Sequence, residues 1–133
     1  MITLNWSKNG LQFIAHDAEN HKIIVDTDTE SGGFNQGFKP MDLLLVALAG
    51  CMGMDIVSIL QKKGGKIDHF QMVLNGEKKP DHPRRYIKIS YNIKCEGNFR
   101  REDLVRSFEL SRDKYCSVLA TLKNPPEFEF NII

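Results

Sequence analysis

The sequence has little of what usually announces a function. Three cysteines and one tryptophan occur in 133 residues, and no two cysteines form a C-x-x-C pair, so zinc-knuckle and thioredoxin-type motifs are excluded. No G-x-S-x-G, Walker loop or dinucleotide fingerprint is present. The histidines His16, His21, His69 and His82 have no ligand spacing to one another or to cysteine. Excess charge of one sign is also missing. Eighteen basic against seventeen acidic side chains leave +1, whereas nucleic-acid binders carry a clear basic excess on one face. The doubled arginines Arg84-Arg85 and Arg100-Arg101 read as solubilising charge. Met1 to Trp6 lacks the charged start and apolar run of a signal peptide. The longest apolar stretch, Leu43 to Gly53, falls short of the roughly 20 residues of a membrane span. The expectation is a cytoplasmic protein with neither nucleic-acid nor membrane partner. Its cysteines are then free, catalytic or buried thiols, not a disulfide framework.

What is there suits a soluble α+β domain. Apolar residues make up 41% and charged residues 26%, and nothing resembling a linker or repeat divides the chain, so residues 1–133 are expected to form one domain. Ile2–Trp6, Leu11–Ile14 and Lys22–Asp26 read as short strands, with Asn9-Gly10 a strong hairpin turn. Pro40 opens a helix, Asp42 suits its positive end, and Gly64-Gly65 stops it after Lys62-Lys63. Leu44, Leu45, Leu48, Met52, Ile56, Ile59 and Leu60 recur at helical spacing with apolar neighbours, so burial on several sides is expected. Two longer strands follow, about Asp68–Lys78 and Arg84–Glu96, the second alternating Ile87, Ile89, Tyr91, Ile93 and Cys95 with polar residues. A helix near Arg101, a break at Ser111–Asp113, a short helix ended by Pro125-Pro126 and a strand Phe128–Ile132 complete the expected order.

The thiols differ in context. Cys95 lies on the apolar face of its strand and reads as a small buried hydrophobe. Cys51 is flanked by Gly50 and Gly53, each costing roughly 1 kcal/mol in a helix. Either tight packing or close approach of a substrate explains them. Cys116 stands three residues after Asp113, a possible cap for the last helix. That would place the thiol in a first turn, where the dipole favours thiolate but the aspartate opposes it. Asp55, one turn after Cys51, is either a solvated acid or a polar partner near the thiol.

The run from Pro40 through Cys51, continuing Met52-Gly-Met-Asp55-Ile-Val-Ser-Ile-Leu60, resembles the central helix of the OsmC/Ohr family, the osmotically inducible and organic hydroperoxide resistance proteins. Ser111-Arg-Asp-Lys-Tyr-Cys116-Ser-Val resembles that family's second-cysteine motif. The resemblance implies an α+β OsmC-like fold, antiparallel sheets around a long central helix, in an intertwined homodimer with sites at the dimer interface. It also implies that Cys51 is the peroxidatic thiolate and Cys116 the resolving thiol, with Asp42 and Asp55 as candidate supporting groups. The partners implied are a small hydroperoxide or apolar ligand and an external dithiol reductant, with no bound cofactor or metal. The family's peroxidases carry an arginine from the N-terminal half and a glutamate after the helix-opening proline. Here Met41 follows Pro40, no arginine precedes Arg84, and Lys8, Lys22 and Lys39 are the only cations before Cys51. The chain thus resembles a divergent OsmC-like branch. The second expectation is a non-peroxidase protein that binds a small molecule, thiol or persulfide in the same interfacial pocket.

Overall fold

Turn chemistry shapes the start of the chain. In the computed structural model, which describes residues 1–133, β1 (Thr3–Trp6), β2 (Phe13–His16) and β3 (Lys22–Val25) form an antiparallel sheet in that order. Asn9-Gly10 lies in the β1–β2 turn as expected, with Trp6 opposite Phe13. Gly10 has φ +52°, and a Cβ there would lie 2.6 Å from the Gly32 carbonyl oxygen, so both backbone and space require glycine. Beyond β3 the loop to Phe38 is organised by one buried acid. Asp26 accepts from the backbone N–H of Thr27 at 2.8 Å, Phe34 at 3.2 Å and Gln36 at 3.1 Å.

The chain forms two compact units, Met1–Leu44 and Leu45–Ile133. The helix α1 (Pro40–Lys62) begins in the first and runs into the second. The strands β4 (Lys66–Lys78) and β5 (Tyr86–Asn98) follow as a two-stranded antiparallel ribbon. Then come α2 (Arg101–Leu110), a five-residue π-helical turn (Ser111–Tyr115) and α3 (Ser117–Lys123). Asp103 of α2 ties this end of the chain together. It binds Arg100 at 2.8 Å and meets Lys63, just past α1, at 3.3 Å.

The core of the second unit lies under one stripe of α1. Leu48, Met52, Ile56 and Leu60 recur every four residues and are fully buried. Leu48 and Met52 pack with Cys116, and Met72, Leu74, Ile89 and Tyr91 close over them from the ribbon. By length and composition alone α1 would pass for a membrane span; packing in this core accounts for the apolarity of its Leu48–Leu60 stripe and not of its other faces.

Two expectations are corrected. Burial of α1 on several sides is not met within one chain, because Val46 and Met54 remain exposed on another face. The expected strand Phe128–Ile132 does not form: these residues pair with no other strand, and Phe128, Phe130 and Ile132 are all largely exposed. Alternating apolar residues make a strand only where an edge is available to supply hydrogen bonds.

Candidate functional site

Two elements bring two of the chain's three thiols to one place. Cys51 sits half-buried on α1 beside the Leu48–Met52 stripe and packs against the cluster that contains Cys116. Cys116 is only 4% exposed. The fold thus packs the Cys51 side chain against the same buried cluster that holds Cys116. Cys95 is elsewhere, on the inward face of β5 opposite Phe70, where burial first and Glu96 second push its thiol up. That is the ordinary state of a structural cysteine.

The local backbone delivers Cys116 in an unexpected way. Asp113 does not cap α3; it lies in the π-helical turn and pairs with Arg112 at 2.6 and 2.7 Å. Cys116 is itself the N-cap, extended at φ −69° and ψ 100°, and its Sγ accepts the Leu119 N–H at 3.3 Å. Sulfur here fills the place usually taken by a serine or aspartate oxygen. Burial pushes the Cys116 thiol above its ordinary value. The Leu119 N–H pulls the other way, while the hydrogen bond with Cys51 and the charge on that sulfur add to the rise. A Cys116 thiol raised in this way is held protonated.

Asp55 and Asp42 have separate fates. Asp55 accepts from the Ser111 hydroxyl at 2.8 Å, bridging α1 to the first residue of the π-helical turn. Asp42 is exposed in the first turn of α1 and belongs to the first unit. Lys39, one of the cations ahead of Cys51, is committed to Asp28 at 2.7 Å. Arg112, the arginine nearest in sequence to Cys116, is held by Asp113 and lies over the Phe108 ring, and Lys114 lies over the Tyr115 ring.

Sequence reasoning overlooked two residues at the site. Tyr91 points inward from β5, and its hydroxyl is pushed up first by burial and then by the charge of Cys116. It is the one phenol among the inward β5 positions that join this core, the only signal that could have marked it. Ser111 is fully buried; it opens the second-cysteine motif, but nothing in the sequence marks its hydroxyl as a partner for Asp55. Asp17, Glu19 and His21 bring potential ligand atoms within 4.8 Å of one another on an exposed turn. Asp17 and His21 are already paired there at 2.7 Å, an arrangement common on hydrated surfaces.

A second feature of α1 faces outward. Val46, Gly50, Gly53, Met54, Phe70 and Met72 line an open apolar groove of about 580 Å³. A Cβ on Gly53 would meet Phe70 at 3.5 Å, an ordinary contact, and one on Gly50 only the Met54 methyl at 3.9 Å. Packing within the chain therefore does not require either glycine.

An α+β chain with this helix, ribbon and thiol pair falls in a defined class: residues 33–131 match the OsmC-like protein family, and the chain belongs to it. It is similar to protein YhfA of Escherichia coli strain K12, 33% identical over 115 residues, covering 86% of this chain and 83% of YhfA. Among solved structures it is similar to a hypothetical protein from Aquifex aeolicus, at 30% identity and TM-score 0.80, covering 94% of this chain and 87% of that one. An organic hydroperoxide resistance protein OsmC from Legionella pneumophila shares the fold at 11% identity and TM-score 0.63, covering 93% and 88%.

Proposed function

We propose that this protein is a cytoplasmic, homodimeric, cysteine-based redox protein that reduces organic hydroperoxides through Cys51 and Cys116. The carrying observation is that Cys51 packs against the buried apolar cluster that contains Cys116. Membership of a family with hydroperoxide resistance proteins among its structural neighbours supports the reading.

The chemistry balances with these two residues and an external dithiol. The Cys51 thiolate attacks the distal oxygen of ROOH; an S–O bond forms, the O–O bond breaks, and the alkoxide takes a proton and leaves as ROH. The Cys116 sulfur then attacks the Cys51 sulfenic acid. The S–S bond forms, and hydroxide leaves as water with the Cys116 proton. An external dithiol returns both thiols and becomes the disulfide. No cofactor is needed. The Tyr91 hydroxyl and the Leu119 N–H are the polar groups around Cys116 during closure.

The homodimer is supported by what one chain leaves uncovered. The groove around Gly50 and Gly53 and the strand-like tail with Phe128 and Phe130 are apolar and exposed. A second copy would cover both.

The test is hydroperoxide turnover with thiol mapping. One equivalent of cumene hydroperoxide should consume Cys51 and Cys116 together and leave Cys95 free. In Cys116→Ser, Cys51 should stop at a sulfenic acid that dimedone labels. Cys51→Ser should lose at least a hundredfold in rate. A wild-type protein whose thiols survive the peroxide would defeat the proposal. The commitment of Lys39 and Arg112 to carboxylates favours a second reading, a non-peroxidase carrier of a small thiol or persulfide on Cys51. It predicts added mass on Cys51 without turnover.

A further inference from the structure

Cys51 and Cys116 are linked by a second route besides their own contact. Asp55 stands one helical turn beyond Cys51 on the same face of α1. Its Oδ2 accepts the Ser111 hydroxyl at 2.8 Å. The Ser111 carbonyl oxygen accepts the Cys116 N–H at 2.9 Å, closing the π-helical turn. One fully buried serine thus bonds to the helix of the first thiol through its side chain and to the second thiol through its backbone. This hydrogen bond joins residues 56 positions apart in sequence.

We infer that the Asp55–Ser111 hydrogen bond is a latch that positions Cys116 against Cys51. The inference rests on the redox reading above and adds two positioning residues to it. The π-helical turn explains the need. A π turn holds one more residue than an α turn, is rare, and is frequent at functional sites. Here it ends in a cysteine whose extended backbone starts α3. Released from α1, the turn could relax toward α-helical spacing and rotate the Cys116 side chain away. Disulfide closure requires Cβ atoms about 3.5–4.5 Å apart, so a rotation of one residue would remove the pair from reach. The latch acts through geometry, not through the carboxylate's charge on the thiols. Asparagine, which keeps an acceptor oxygen for Ser111, should therefore replace Asp55.

The experiment uses phenylarsine oxide, which condenses with two adjacent thiols to a dithioarsenite and water, with no oxidant. Cys95→Ser serves as background. Ser111→Ala and Asp55→Ala should bind the arsenical at least tenfold more weakly and close the Cys51–Cys116 disulfide at least tenfold more slowly after peroxide. Asp55→Asn should stay within about twofold of the background on both readings. Ser111→Ala is the safer variant for folding, because Asp55 also lines a cavity of about 410 Å³ with Lys62 and Tyr115, where water can replace the hydroxyl. Circular dichroism confirms the fold of each. Arsenical binding unchanged in Ser111→Ala, or Asp55→Asn as weak as Asp55→Ala, would overturn the latch. Tight arsenical binding by the background protein with no peroxide turnover would instead defeat the redox reading and leave the latch standing.

Discussion

At the residue scale, proton position sets the order in which the two thiols would act in the proposed reaction. Cys116 is buried, and its thiol lies above the ordinary 9.0, held there by desolvation and by the neighbouring sulfur. At neutral pH it is protonated, so it is a poor first nucleophile and a suitable donor toward Cys51. Closure of the disulfide needs its sulfur to attack, and the attacking form is the thiolate. The rate of closure, followed by acid quenching and thiol counting, should therefore still be rising at pH 9. A plateau near neutrality would show that the Cys116 proton is not limiting. Asp26 shows the opposite sign. Burial opposes its charge, but the N–H groups of Thr27, Gln36 and Phe34 and the Gln12 side chain outweigh that and hold the carboxyl below 3.8. Its contribution to stability is therefore present above pH 3.8 and lost as pH falls through the lowered folded value. Asp26→Asn, with one acceptor oxygen replaced by a donor, should lower Tm by about 5 °C at pH 7. The gap should narrow as acid protonates the wild-type carboxyl.

At the element scale, α1 has two apolar faces, of which the chain itself covers one. The buried face is held by this chain's own ribbon, and Ile56 on it is fully buried. Ile56→Ala removes three carbons from a packed site and should cost about 2–5 kcal/mol in denaturant unfolding. Met54, on the other face, is 74% exposed in the single chain. If the chain worked alone, Met54→Glu would change stability by no more than about 0.5 kcal/mol. With a second copy seated in the groove, the same substitution buries an unpaired charge. Met54→Glu is expected to shift the protein from dimer to monomer in sedimentation equilibrium. A variant that sediments as wild type would place the subunit contact elsewhere.

At the scale of the whole molecule, the tail carries the test of intertwining. Phe128, Phe130 and Ile132 alternate with Glu129 and Asn131 and have no strand partner within the chain. A chain ending at residue 126 should fold its second unit, whose core contains no tail residue, yet dissociate at concentrations where the full chain is dimeric. The elements were legible along the sequence where hydrophobic period and punctuation agreed. Asn9-Gly10 marked the hairpin, Pro40 and Gly64 bracketed α1, and alternation marked β5. These signals are local, because turn geometry and side-chain period are properties of a few adjacent residues. Local physics leaves Cys51 and Cys116 open between packing and reactive roles, and only the family resemblance singles them out.

Tertiary structure decided what local pattern could not. Asp113 looked like the cap of α3, yet the π-helical turn gave that position to the Cys116 sulfur. Asp55 looked like a partner for a thiol, yet its hydrogen bond goes to Ser111, 56 positions away. Tyr91 was one of five alternating residues until folding set it beside Cys116. The sequence by itself determined the periodic elements and their order, since each rests on neighbours in the chain. Which thiol is buried, which hydroxyl meets which carboxylate and which apolar face stays open depend on contacts between distant segments. Those contacts exist only once the backbone is closed around them.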